Sequence, residues 1–395
     1  MPGQDLANFD AVLKEDYASK LRATINKMTV LQTRLNRTSD KWDFQGRRGV
    51  LPINIRPSES VGARPDGGQT PSPQRQTFVE MLVPMVYNYG TIKVTLPSIK
   101  TTQSDAGSFE RVLDAEMKGI RRDLKNDINR QMWGDGFGTL ARCDGAGVST
   151  TAMILNPGHF VKRNMIIDVY TAATGGVQQV DSVRVASTTG ATTVTLETAQ
   201  SWSDTAFVFR EDARGHEMMG AKGIIDDGTF VSQYFGLSRT TYPEMQSQVL
   251  DNGGTLRAIT LDLLQEAFME SEIQGEGSIS MGTTEHSIWR KIGNLMVPDR
   301  RYAPTMKLAG GFTALEFNGK PIIADRDHPR STFYWWDESE VILFELAQWD
   351  FDDTDGSVLH KVAGEAAYEA LLYYYAEMAS PDPACHVAIR DIIRT

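Results

Sequence analysis

The chain has 395 residues and a formal net charge of −11, from 51 acidic against 40 basic side chains. That balance argues against a dedicated DNA-binding protein, although it permits incidental phosphate contacts through local arginines. Two cysteines, Cys143 and Cys385, are too few and too far apart for a disulfide framework or a zinc site.

The N-terminus MPGQDLANFDAV is acidic and lacks the apolar core of a signal peptide, and nowhere do about 18 apolar residues run together as a membrane span would need. The expectation is a soluble chain made in a reducing cytosol, long enough for two or three structural units. Leu6 to Arg37 carries Phe9, Val12, Leu13, Leu21, Ile25, Met28, Leu31 and Leu35 in helical rhythm, which suits a packing helix or an arm docked on another subunit. From Gln45 to Gln76 five prolines and five glycines share the chain with Arg47, Arg48, Arg56, Arg64 and Arg75. Such a segment cannot fold around a core of its own, so it is a linker or an extended arm, and the residues alone favour the linker. Thr77–Val83, Met85–Tyr89 and Ile92–Leu96 are short β-type runs, interrupted by Pro84 and Pro97.

Phe109 to Trp133 is the strongest helical signal. Leu113, Met117, Ile120, Leu124, Ile128 and Met132 recur every three or four residues, while Arg111, Asp114, Lys118, Arg121, Arg122 and Lys125 fill the opposite face. Ser108 marks a start and Gly134-Asp135-Gly136 a stop. The narrow apolar stripe predicts a long helix lying along a surface. A Gly-rich passage, 134–147, follows.

Asn156 to Glu211 contains four β-rich runs, Met165–Tyr170, Val177–Val185, Thr192–Leu196 and Ala206–Phe209, separated by turn signals. This spacing predicts a small antiparallel barrel or sandwich inserted into the main domain. Beyond it, helices are expected over Thr260–Ile273, capped by Thr260, and over Thr283–Val297, capped by Thr283 or Thr284. Strands are expected at Ile279–Met281, Phe317–Ala324 with an Asn318-Gly319 turn, Thr332–Trp336 and Val341–Leu346. The tail 366–375 reads either as a helix by propensity or as a strand, since Leu371, Tyr373 and Tyr375 alternate.

A search for catalytic chemistry finds no phosphate loop, no nucleophile elbow, and a His216-Glu217 pair that lacks the second histidine of a zinc-protease helix. Asp325, Asp327 and His328, in the run DRDHP, form the most enzyme-like cluster, and a charged turn closed by proline is the plainer reading. Tyr373, Tyr374 and Tyr375 suit packing in a sheet or between subunits better than base stacking, because no basic groove accompanies them.

The order of these segments resembles the major capsid proteins of tailed bacteriophages with the HK97 fold. Local likeness lies in EMKGIRRDLKNDINRQMWGDGFGTLA (116–141), GLSRTTYPEMQSQVLDNGGTLR (236–257), FNGKPIIADRDHPRSTFYWWDES (317–339) and DGSVLHKVAGEAAYEALLYYYAEM (355–378). The resemblance implies an α+β, HK97-like capsid fold: N-terminal arm 1–44, extended loop 45–80, peripheral domain 81–155 with spine helix 109–133, inserted β-barrel-like module 156–215, axial domain 216–345, and a return to the peripheral domain over 346–395. It implies a shell of hexamers and pentamers around double-stranded DNA, non-enzymatic and without cofactor, in the virion capsid after assembly in the bacterial cytoplasm. The implied partners are further copies, a separate scaffolding protein, a portal, a decoration protein where the shell carries one, and packaged DNA held by non-specific contact, with no membrane. An encapsulin-like compartment and an enzyme using Asp325, Asp327 and His328 are the alternatives. Arg56, Arg64 and Arg75 on the loop, and Asp114, Glu116, Arg121, Arg122 and Asp123 on the helix, become candidate intersubunit residues. The lysine-to-asparagine crosslink of some family members is not expected, because no lysine lies between Lys41 and Lys93.

Overall fold

A computed structural model describes residues 31, 34–37, 48–56, 60–97, 106–275, 277–296, 306–307, 313–354 and 356–394. Most of the expected N-terminal helix lies outside these residues. Its last part departs from expectation, because Asn36–Arg37 (β1) is a strand parallel to Ile342–Leu343.

The Pro/Gly/Arg-rich segment is neither a loose linker nor wholly irregular. Arg48–Arg56 (β2) pairs antiparallel with Thr77–Pro84 (β3), Leu51 opposite Met81, and residues 60–76 form the tip between them. Pro52 is tolerated because β2 is an edge strand, where a missing N–H costs no ladder bond. At the tip, Gly68 donates its amide to the Pro65 carbonyl at 2.8 Å, and Gly67 supplies the φ of +72° that a type II turn demands at its third position. The next strand, Val86–Thr95 (β4), is one unbroken element rather than two short runs. Gly90 at its centre explains why: a Cβ there would lie 3.0 Å from Ile120, so glycine lets the long helix press against the strand.

That helix runs from Ala106 to Met132. Met117, Leu124, Ile128 and Met132 are buried, as the periodicity predicts, but so are Lys125, Asn129, Arg130 and Gln131. The C-terminal turns are therefore enclosed on most sides, not laid along a surface. Bonds from Trp133 N to Arg130 O and from Gly134 N to Gln131 O tighten the last turn before the chain leaves.

Thr139–Arg142 (β5), Gly147–Ile154 (β6), Ile166–Tyr170 (β7), Gln178–Thr189 (β8), Thr193–Trp202 (β9) and Phe207–Arg210 (β10) make an antiparallel sheet in the order β5-β10-β7-β8-β9-β6. Its two edges meet, since Asn156 N donates to Arg142 O and Asp144 N to Ile154 O, both at 2.9 Å. The enclosed core of Met153, Ile167, Val169, Val185, Val194 and Val208 is separate from the rest. The sheet thus begins at Thr139, well before Asn156; β5 and β6 were hidden among glycines and short polar residues.

Gln233–Tyr234 (β11) and Leu237–Ser238 (β12) form a small hairpin. A seven-stranded mixed sheet follows: Gln248–Leu250 (β13), Met281–Thr284 (β14), Met306–Lys307 (β15), Thr313–Phe317 (β16), Lys320–Ala324 (β17), Phe333–Trp336 (β18) and Val387–Ile389, in the order β13, Val387–Ile389, β18, β14, β17, β16, β15. The helix Leu261–Gln274 starts at Thr260, whose Oγ1 accepts from Leu263 N at 3.1 Å. The second helix, His286–Leu295, has Glu285 at its cap position. Thr283 and Thr284 belong instead to β14, where their β-branched side chains pack, and Thr284 donates its hydroxyl to Thr332 O at 2.9 Å. Asn318 and Gly319, at φ +50° and +74°, make the hairpin turn between β16 and β17.

The remaining strands are Ile342–Phe351 (β19), His360–Lys361 (β20) and Ala367–Ala379 (β21), with Val387–Ile389 as β22. β21 is the tail that read ambiguously; it is a thirteen-residue strand between β4 and β19. One face of the β4/β21/β19 sheet covers the long helix, sharing a core of Ile92, Leu124, Ile128, Leu372 and Tyr374.

Below this sheet a buried carboxylate organises the 220–250 segment. Asp226 is fully enclosed and accepts from Arg390 Nη2 at 2.6 Å, from Arg239 Nη1 at 3.1 Å, and from the amides of Gly228, Phe230 and Val231. Arg239 also donates to the carbonyls of Gly223, Ile224, Val231 and Met245. Replacing Arg239 with alanine would strand a buried charge and four acceptors, which costs about 3–5 kcal/mol. The expected outcome is a much lower urea midpoint by fluorescence or circular dichroism, whereas an unchanged midpoint would refute the lock.

Candidate intersubunit surfaces

The arm formed by β2, the tip and β3 packs one face on its own subunit, through Leu51, Ile53, Val79, Met81 and Val83, while the tip projects beyond. Leu51, Met81 and Val83 enter the main core, and Leu82 N donates to Phe235 O at 3.1 Å. Its other face leaves Val50 and Phe78 exposed, at 50% and 62%, and Val61 at the tip stands 83% exposed. Arg64 and Arg75 are exposed; Arg64 turns its guanidinium onto the Ala63 and Gln69 carbonyls of its own tip. Arg56 closes β2, and its side chain lies outside the described residues.

On the long helix, Glu116, Arg122 and Asp123 are exposed, with Arg122 Nε 3.4 Å from Asp123 Oδ1. An exposed neighbour pair of this kind holds little energy. Arg121 is different: its guanidinium lies 5.5 Å from the centre of the Phe351 ring, so it packs under β19 within its own subunit. The Asp114 side chain lies outside the described residues. No hydrogen bond or ion pair among the described residues brings Arg64 or Arg75 to Glu116 or Asp123.

The three consecutive tyrosines divide by strand alternation. Tyr374 points inward, stacks on Trp349 at 4.2 Å and 9°, and donates its hydroxyl to Glu345 at 2.7 Å. Tyr373 and Tyr375 lie on the opposite face, where Tyr375 meets Tyr87 and Tyr89 of β4 and Tyr373 packs against Tyr375. The last two were not singled out in the sequence, although the alternation Val86-Tyr87-Asn88-Tyr89 puts them together on one face.

The DRDHP run sits at a cavity of about 1370 Å³ between the long helix and the six-stranded sheet. Asn129 Nδ2 donates to Asp325 Oδ1 at 3.1 Å and Asp327 Oδ2 at 2.8 Å, tying the run to the helix. Burial pushes the Asp325 carboxyl up, with the Asp327 charge adding to the shift. His328 is fully enclosed between Trp133 and Tyr334, its ring centroid 4.7 and 4.9 Å from theirs. Its Nδ1 lies 2.9 Å from the Pro329 carbonyl and therefore carries the proton, leaving Nε2 to accept from Thr283 Oγ1 at 3.4 Å. Burial pushes its pKa down to about 3, so it stays neutral at physiological pH. A neutral histidine with both nitrogens engaged inside the protein is a poor proton shuttle, and the run acts as a clamp.

A second polar cluster lies beside it. Arg130 makes a two-pronged contact with Glu217, at 2.9 and 2.5 Å, and reaches Asp127, which also accepts from Arg210 of β10 at 2.9 Å. Burial opposes ionisation of Asp127, but Arg130 and Arg210 bring its carboxyl below the usual range. Both cysteines are buried and free, and no group of three metal-ligating side chains converges among the described residues.

No protein-family model and no curated protein sequence matches the chain. Among solved structures, the cyanophage A-1(L) capsid asymmetric unit is similar with a TM-score of 0.55 at 13% identity, over 94% of this chain and 92% of that one. The capsid of an empty GTA particle computed with C5 symmetry is similar with a TM-score of 0.50 at 6% identity, over 92% and 90%. At such identities the likeness is one of fold: the chain has the mixed-sheet, HK97-like fold of phage capsid subunits.

The buried histidines give an acid response. His328 and His386 are held neutral by burial, near 3 and about 4, whereas an unfolded histidine titrates near 6.5. Between about pH 6.5 and about pH 4 the unfolded chain therefore binds protons that the folded chain does not, and stability falls as pH falls. Glu377 and Asp325, raised by burial, act in the opposite sense and soften the response. Replacing His328 with glutamine should reduce the slope of unfolding free energy by about 1.4 kcal/mol per pH unit in this window. Denaturation series at several pH values measure it, and an unchanged slope would show that His328 is already charged.

Proposed function

We propose that this chain is a major capsid protein of a tailed phage, building hexamers and pentamers of an icosahedral shell around double-stranded DNA. The observation that carries the reading is the arm, taken together with the capsid-type fold. A two-stranded hairpin is marginal in water unless supported, and this one holds Val50, Val61 and Phe78 in solvent. A neighbouring copy is the support that such a projection needs.

In this reading the long helix is the spine of a peripheral domain that includes β4, β19 and β21. The arm 45–80 is the extended loop, the seven-stranded sheet belongs to the axial domain, and the sheet from Thr139 to Arg210 is an inserted barrel-like module. The N-terminal 1–44 is an arm of its own. Arg56, Arg64 and Arg75, with Asp114, Glu116, Arg122 and Asp123, lie at subunit boundaries; Arg121 is better placed in the subunit interior. Weak contacts repeated around closed rings hold the shell through avidity, with no chemical step and no cofactor. A separate scaffolding protein, a portal, a decoration protein and DNA held non-specifically are the partners that a phage shell would use. The shell would form in the bacterial cytoplasm and remain as the virion capsid.

Electron microscopy of the purified protein, expressed with and without its neighbouring genes, tests the reading. Closed shells or ring-shaped capsomers are expected, and their contents distinguish a genome container from a cargo compartment. A stable monomer under both conditions would refute assembly. Within assembling protein, Arg64→Glu should lower particle yield, and an unchanged yield would remove Arg64 from the interface.

A further inference from the structure

We propose that the cavity between the long helix and the six-stranded sheet holds a phosphate group, bound where Arg330 and Arg394 meet the loop between β6 and β7. Such a site lies within one copy and stands apart from the shell reading. It is built first by shape. A Cβ on Gly158, at φ +87°, would fall 1.6 Å from Arg330 Nε and 1.8 Å from its Cζ. The guanidinium therefore lies in the hollow that glycine leaves, pinned against a loop of the six-stranded sheet although Arg330 itself follows β17. It makes no hydrogen bond or ion pair among the described residues. A planar fork is thus held in place on the cavity wall with its donors unspent.

Charge points the same way. Arg394 donates from Nε to both oxygens of Glu285, at 2.8 and 3.0 Å, while its Nη groups bond nothing among the described residues. One carboxylate therefore serves two guanidiniums. Burial and then the Arg394 charge push the Arg330 pKa down, as befits a cation short of counter-charge. Burial, with the Arg330 charge as a further cause, also lowers the pKa of His159 on the same wall, so the imidazole is neutral. Lys162 and Arg163 line the cavity as exposed cations without ion pairs among the described residues. Most of the lining acids are already spent, Asp127 on Arg130 and Arg210, Asp327 on Arg326 and Asn129, and Asp135 on Lys222.

Neutral donors complete the set. Glu285 precedes the helix His286–Leu295, and because it turns to Arg394 and to the Ser331 amide, that helix starts without a side-chain cap. The first-turn amides and the positive end of the helix dipole are left for an oxyanion. In that first turn the Ser287 hydroxyl is shut off from solvent and has no partner, and the same holds for His159 Nδ1. Enclosed polar atoms without a partner are rare, and an arriving acceptor would satisfy them. A metal cation would be repelled by this wall, and an apolar ligand would leave its donors stranded. A phosphate group brings the charge that two guanidiniums lack and enough oxygens for donors that converge from two sheets and a helix.

Isothermal titration of the full chain with inorganic phosphate, at fixed ionic strength in chloride, tests the site. Saturable binding with a Kd below about 1 mM is expected, weakened about tenfold or more by Arg330→Gln. Arg330 has no bond within the protein to lose, so the melting curve of that variant without phosphate should match the wild type. Ser287→Ala should weaken binding as well. Competition by adenosine monophosphate and by a short DNA duplex identifies the source. Displacement by the duplex assigns the phosphate to a nucleic-acid backbone, displacement by the monophosphate alone to a small molecule, and displacement by neither to inorganic phosphate itself; each upholds the site. No saturable binding by the folded wild-type chain, or binding by Arg330→Gln as tight as wild type, would overturn it, whether or not shells form.

Discussion

The rest of the structure depends on neutralising charge at the C-terminal end of the long helix. Asp127, Asn129 and Arg130 share one helical turn and are largely withdrawn from water, so each needs a partner from another part of the chain. Glu217 answers Arg130 from the segment after the six-stranded sheet, Arg210 answers Asp127 from β10, and Asp325 and Asp327 answer Asn129 from the end of β17. Gln131 extends the network to Asn88 of β4 at 2.8 Å. Hydrophobic burial would tolerate some sliding of these bodies, whereas two-pronged bonds and a shared amide do not. Three sheets are thereby oriented by one helix end.

This arrangement changes what the conspicuous charged runs mean. DRDHP looks catalytic because two carboxylates and a histidine are adjacent, but the chain uses them as a clamp with a neutral imidazole packed at a tilt against Trp133. Cys385 and His386 are also neighbours, with Sγ 3.6 Å from Nδ1, yet burial pushes the thiol up and the imidazole down, away from the thiolate–imidazolium pair of a nucleophile. Perturbed groups in this molecule mark where polar chain had to be buried to join bodies.

How much of this could be read from the sequence follows from sequence distance. The long helix was legible because its signal is local and repeats over seven turns, and so was the cap at Thr260. The tail at 366–375 was legible only as a choice, since alternation and helical propensity conflicted until β4 and β19 flanked it. β5 escaped because four residues, TLAR, carry one β-branched side chain, and β6 because it follows a Gly-rich passage and its burial pattern does not alternate strictly. Thr283 and Thr284 misled because threonine serves equally as cap and strand residue. The tyrosine face and the polar lock were illegible for a stronger reason: Tyr89 meets Tyr375 across 286 positions and Arg130 meets Glu217 across 87. No local pattern announces such a meeting.

The six-stranded sheet has a further consequence. It enters through β5 and leaves through β10, and these two strands are paired neighbours, Arg142 opposite Phe207. Entry and exit therefore lie about 5 Å apart, with a private core between them. A chain segment tied on at one point can be lost, lengthened or exchanged while the backbone on either side keeps its course, provided the Arg210 contact or an equivalent remains. In evolutionary terms it is a cassette, free to diverge at a pace of its own, and the same geometry makes it the natural place to graft a foreign domain.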